Sequence, residues 1–173
     1  RRFSTSEELR ELDRLELTLL NTESLFCIHD GLYLRGLDRL HQLLDRCDAM
    51  GEQDMAFQAH LQFIYFGIKT GNKAIMEQHL SIGRILLEGK ERSAEYGVYL
   101  RLLGLLRLMQ GDSPQAREIL EQSIQVFLAL NPGMTGGYAI NIAGAYNYMA
   151  ESYRLEGQYP QAFHCYDQAI AYN

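Results

Sequence analysis

Apolar side chains recur along this chain with the period of an α-helix. Leu9, Leu12, Leu15 and Leu19 open the first run. Between Leu34 and Met50, the residues Leu37, Leu40, Leu43, Leu44 and Cys47 keep the i, i+3, i+4, i+7 spacing of a one-sided helix. The same spacing, cut by glycine and proline, predicts eight helices. The first starts after Ser4, Thr5 and Ser6, where Ser4 with Glu7 or Thr5 with Glu8 can form a capping box, and runs to about His29. The others are expected at about 34–50, 54–70, 73–88, 93–110, 114–130, 135–156 and 159 to the end. Gly111, Asp112, Ser113 and Pro114 supply a turn, an N-cap and a proline in the first turn of the sixth. Asn131, Pro132 and Gly133 stop that helix. No segment alternates apolar and polar residues between turn signals, so the chain reads as all-α.

Four of the interrupting glycines act as a ruler. Gly31, Gly71, Gly111 and Gly157 stand 40, 40 and 46 residues apart, each between two helical runs. A period of this size marks stacked helical hairpins, because one hairpin cannot bury its apolar face alone. Superposition on the glycines aligns small residues where two helices must touch. Ala150 and Gly104 stand seven before the turn glycine, and Ala162 and Ala116 five after it. Bulky residues fill around them: Tyr146, Met149, Tyr153, Tyr166 in the last segment and Leu100, Leu103, Leu120 in the one before. Earlier segments keep the turn glycine and bulky positions, with Phe63, Ile64, Met76 and Leu80 in one and Leu20, Leu40 and Leu43 in the other.

These residues resemble the tetratricopeptide pattern W-x₂-L-G-x₂-Y…A-x₃-F with bulky substitutes. The resemblance implies a right-handed α-solenoid of about four hairpins in one domain over 1–173, with repeat units at about 5–50, 53–89, 93–130 and 135–173. Repeats of that family are commonly about 34 residues, so spacings of 40 and 46 mean longer helices. Long repeats of this type resemble the sensor region of large bacterial transcription activators, the maltose-regulon activator group. That likeness implies a non-catalytic module that binds a peptide, a protein or a small-molecule inducer in its concave groove. The chain begins with Arg1 and is expected to be a piece of a longer protein.

Charge and cysteine usage narrow the partners. The formal net charge is −6, and no stretch gathers five or six Lys or Arg, so direct nucleic-acid binding is not expected. Three scattered cysteines, Cys27, Cys47 and Cys165, with no C-x-x-C, point to buried thiols in a reducing compartment and hence to the cytoplasm. Val98 to Met109 is broken by Arg101, Gly104 and Arg107, too short a run for a membrane span.

Motifs for chemistry fail on spacing. Gly83 to Gly89-Lys90-Glu91 is one residue too long for a phosphate loop and ends in a carboxylate. The five histidines make no H-x-x-x-H pair, and Asp45, Asp48, Glu52 and Asp54 miss the alternation of a calcium loop. No cofactor or metal is expected, and an enzyme is only a remote alternative.

In tetratricopeptide arrays the first helix of each hairpin lines the groove. Projecting this chain on that frame gives Gln62, Tyr65, Lys69, Arg101, Leu105, Asn147, Tyr148, Glu151 and Arg154 as candidate groove residues, beside Asn21, Leu25, His29 and Leu108. Arg101 and Asn147 suit an anionic or amide group. Seven tyrosines crowd the last 36 residues; Tyr146, Tyr153, Tyr159 and Tyr166 are read as core, and Tyr148 as groove. The alternative reading is an assembly scaffold: Phe163, Tyr166 and Ile170 on the last helix form a face for self-association or for docking within a longer chain.

Overall fold

The computed structural model describes residues 6–131 and 137–172, with side chains from residue 8 onward. They form eight helices: α1 (Ser6–His29), α2 (Tyr33–Met50), α3 (Gln53–Thr70), α4 (Lys73–Leu86), α5 (Ala94–Met109), α6 (Ser113–Leu130), α7 (Ala139–Leu155) and α8 (Tyr159–Ala171). Among the described residues there is no strand. The expected starts and stops are mostly found, with informative exceptions. Ser4, Thr5 and Thr135 lie outside the described residues, as do Pro132 and Gly133. The fourth helix stops at Leu86, two residues short of the expected end. In the Gly111–Pro114 run the cap is Asp112, whose carboxylate accepts from the Gln115 amide at 3.1 Å. Ser93 caps α5 in the same way, accepting from Tyr96 N–H.

Glycine supplies the turns because the chain must enter the left-handed region there. Gly71 and Gly111 sit at φ 69° and 89°, and the residue after each donates to a carbonyl five positions back, Asn72 N to Gly67 O and Asp112 N to Arg107 O. The same bond closes the chain after Gly31, Gly51 and Gly157, so one short turn is reused throughout.

The contacts group into two units, Arg1–Ile82 and Gly83–Asn173, so that α4 crosses the division. In the first unit α1, α2 and α3 pack on one another in sequence, with α1 also touching α3. Close approach is set by glycine: a Cβ at Gly36 would meet Ile28 Cγ1 at 2.7 Å, and one at Gly67 would meet Met76 at 2.6 Å. In the second unit α5 pairs with α6 and α7 with α8, while α6 and α5 both contact α7. Here a Cβ at Gly104 would stand 2.6 Å from Leu120 Cγ, and Ala116, Ala150 and Ala162 are buried. Their core holds Leu120, Ile124 and Phe127 from α6 with Ile142, Ala145 and Met149 from α7. Each large apolar side chain so buried contributes about 1.5–3 kcal/mol.

Candidate functional site

In the first unit, the expected groove residues have other tasks. Gln62 is buried, and its amide joins α3 to α1: Nε2 donates to Asn21 O at 2.9 Å and Asn21 Oδ1 at 2.6 Å, while Oε1 lies 2.7 Å from Ser24 Oγ. A polar residue at that position is there to satisfy its neighbours rather than to meet a ligand. Its replacement by leucine should cost about 1–3 kcal/mol by stranding Asn21 and Ser24, as read by chemical denaturation. Adding Ser24→Ala should return part of the loss. Lys69 is exposed and stands over the Tyr65 ring, 5.4 Å from its centre.

In the second unit α5 and α7 lie side by side, and one strip of α7 carries none of the fully buried residues of that helix. At 3.6 residues per turn, Gly144, Asn147, Tyr148 and Glu151 fall within an arc of about 100°. The buried residues of α7 face elsewhere: Ile142, Ala145, Met149 and Ser152 to one side, and Ala143 and Ala150 to the other. Asn147 is exposed, whereas Gly144, Tyr148 and Glu151 are half-buried. Tyr148 packs against the α6–α7 core. It is therefore partly a core residue, contrary to its expected place off the core register.

Arg101 of α5 reaches this strip. A Cβ at Gly144 would stand 3.2 Å from Arg101 Nη1 and 3.8 Å from Cζ, so the guanidinium lies against α7 where α7 lacks a side chain. Arg101 is half-buried; its Nε is buried with no hydrogen-bond partner, and no carboxylate of the described residues pairs with it. Leu105 and Leu108, expected beside it in the groove, are instead buried. Helix α5 is apolar on most faces and spends both leucines on packing.

Two turns along α7 the charges are already matched. Glu151 accepts from Arg154 Nε at 2.9 Å and Nη2 at 2.7 Å, and its other oxygen accepts from the Tyr166 hydroxyl of α8. The Arg154 bonds, then the Tyr166 bond, hold the Glu151 carboxyl below the usual range, and the same bond raises the Tyr166 hydroxyl. Tyr166 is thus half-buried and bonded across the α7–α8 seam, which corrects its assignment to an open association face. Phe163 and Ile170 do stand open, 67% and 71% exposed. Of the tyrosines read as core, Tyr146 and Tyr153 are half-buried but Tyr159 is exposed.

Two arrangements had no sequence signal. Arg117 of α6 stacks 4.5 Å over the Tyr153 ring and donates to Ser152 and Glu156 of the next hairpin. In the first unit His60 and His79, nineteen residues apart, are both buried with Nδ1 atoms 2.8 Å from each other, and Phe63 stacks on His79. Burial depresses both imidazoles, His79 to about 4. Among the described residues no group of three or more His, Cys, Asp or Glu side chains is placed to hold a metal ion. The three cysteines are buried and unpaired. No helix among the described residues is long and apolar enough to cross a membrane. Comparison with protein-family models and with curated proteins returns no match.

Proposed function

We propose that the chain is a non-catalytic interaction module of the tetratricopeptide type, a right-handed array of long hairpins serving as the cytoplasmic sensor region of a bacterial transcription regulator. The observation that carries the interaction reading is the α5–α7 strip. It combines an arginine that no carboxylate of the described residues pairs with, an exposed amide and a half-buried aromatic ring at the edge of the α6–α7 core. Such a set recognises a partially polar ligand by a few fixed groups on a rigid helical support. Repeated use of one turn, and of small residues at each seam, supports the hairpin-array part of the proposal.

Selection of a displayed random-peptide library on the whole chain tests it. Enriched peptides should lose at least tenfold in affinity on the Arg101→Ala, Tyr148→Ala double variant. That variant should unfold at only slightly lower denaturant, since truncating the half-buried ring costs about 1–2 kcal/mol. Peptides that bind the double variant unchanged would move the site elsewhere.

A second reading, self-association, is favoured by α8. Tyr159, Phe163 and Ile170 are exposed at the 4-7 spacing of a helix seam, and Asp167 is the only carboxylate in the helix. An antiparallel pair would keep the two Asp167 side chains apart, so sedimentation velocity should show a dimer that Phe163→Glu abolishes. A monomer at high concentration sinks this reading.

A further inference from the structure

We infer that the outer face of α1 is the seam of an antiparallel dimer, its occupant the α1 helix of a second copy of this chain. This goes beyond the self-association reading above, which uses α8, and stands on a different face. Helix α1 turns Leu17, Ser24, Cys27 and Ile28 inward, while Leu12, Leu15, Leu19, Leu25 and Phe26 are between 46% and 67% exposed. Leu12, Leu15, Leu19, Thr22 and Phe26 follow one another at steps of 3, 4, 3 and 4, the a and d positions of a coiled-coil seam. Both threonines on this side satisfy their hydroxyls within the helix: Thr18 Oγ1 donates to Arg14 O at 2.9 Å and Thr22 Oγ1 to Thr18 O at 2.8 Å. Drying the stripe therefore strands neither hydroxyl.

Charge on the rim of the stripe selects the occupant. Superposed on the turn glycines Gly31 and Gly157, Glu16 and Glu23 of α1 fall where α7 has Ile142 and Met149, which sit in the α6–α7 core. A further hairpin stacked on α1 as α7 stacks on α6 would bury those two carboxylates, each at a cost of several kcal/mol. A coiled-coil pairing leaves both on the rim instead. There Arg46 neutralises Glu16, and Arg35 and Arg39 neutralise Glu23, so the edge that a second copy approaches is not repulsive. A lipid surface is disfavoured by the helix's own charge, six carboxylates against two arginines. Antiparallel pairing sets Leu15 on Phe26 and Leu19 on Thr22 of the second copy, each layer occurring twice about the two-fold axis. Parallel pairing would set Glu16 beside Glu11 of the other copy, a like-charge contact. With Leu9 included, the stripe offers roughly 300–400 Å² of apolar surface per copy. At the apolar share of homodimer interfaces, about 65%, two copies would bury about 900–1,200 Å² in all, the size at which specific interfaces begin.

The test is sedimentation velocity of the whole chain over a concentration series, with Phe163→Glu present to silence α8. Expected is a monomer–dimer equilibrium that Leu19→Glu weakens at least tenfold. Because Leu19 is exposed, that change should leave the melting temperature within about 2 °C. Mixing Leu15→Cys with Phe26→Cys under mild oxidation should cross-link the two variants to each other in preference to themselves. A strict monomer in the Phe163→Glu background, a dimer indifferent to Leu19→Glu, or Leu15→Cys cross-linking chiefly to itself would each overturn the seam. So would a monomer that binds phospholipid vesicles, anionic or zwitterionic, through Leu19. A native dimer lost in Phe163→Glu alone would remove the α1 seam and leave the α8 reading. Native assemblies larger than a dimer that fall to dimers in Phe163→Glu would support both faces. Peptide capture by the α5–α7 strip should be untouched by Leu19→Glu.

Discussion

Phe127→Ala is expected to destabilise the chain by about 3–5 kcal/mol, the largest loss of any single truncation in the second unit. The ring is fully buried at the middle of the α6–α7 core and lies 5.6 Å from the Tyr138 ring. It also covers the backbone of α5: a Cβ at Gly97 would come within 2.7 Å of Cζ and 2.9 Å of two further ring atoms. This contact makes a two-sided test. In the native background Gly97→Ala forces the buried ring to move, costing about 1–3 kcal/mol, against about 1 kcal/mol gained from helix propensity. In the Phe127→Ala background the obstruction is gone and only the propensity gain remains. Gly97→Ala should thus change sign, destabilising alone and stabilising by up to about 1 kcal/mol in the double variant. Denaturant unfolding of the four proteins reads the cycle directly. Additive effects would mean that the ring and Gly97 do not share the space.

The contrast between Gly97 and Gly71 shows what the chain made legible. Turn glycines stand between two periodic runs, and their spacing announces hairpins without reference to any partner. Most helix bounds follow from them to within two residues, as at Thr70, Lys73, Leu130 and Tyr159. Glycines within helices carry no such flag. Gly104 shows through its alignment with Ala150, but Gly67 and Gly144 do work that depends on which side chain arrives from another helix: Met76 in one case, Arg101 in the other. Periodicity separates a core face from an outer face and cannot say whether an outer polar residue is bonded. Gln62 and Asn147 both read as groove amides, yet Gln62 closes a buried network with Asn21 and Ser24. Leu105 was misplaced for a related reason. A helix apolar on most faces gives the pattern little contrast with which to choose its inner side.

The histidine pair is the other feature that only packing reveals, and it should make the first unit acid-sensitive. At neutral pH one Nδ1–H donates to the other Nδ1, which satisfies one ring nitrogen on each ring with both neutral. A proton added to the pair places charge among Phe63 and its buried neighbours; Asp48 favours that charge on His60, while His60 and His41 oppose it on His79. Both imidazoles therefore bind protons less readily folded than unfolded. Between the ordinary histidine value, near 6.5, and the depressed value of His79, about 4, the unfolded chain holds more protons than the folded one, so stability falls as pH falls. For His79 alone the loss across that window is on the order of 2–3 kcal/mol, at about 1.4 kcal/mol per pKa unit. Above about pH 7 the pair should add no slope. The paired carboxyls of Glu23 and Glu151 are held below their ordinary value and lose their contribution only at lower pH, so the interval from 6.5 to 5 belongs to the histidines. Urea midpoints across that interval should slope in the native chain and flatten in His60→Leu, His79→Leu. The single change His79→Leu should cost more at pH 7.5 than the double change, because it leaves the His60 nitrogen buried without its partner. A native chain whose midpoint is level from pH 6.5 to 5 would show that the pair opens to water before it is asked to carry charge.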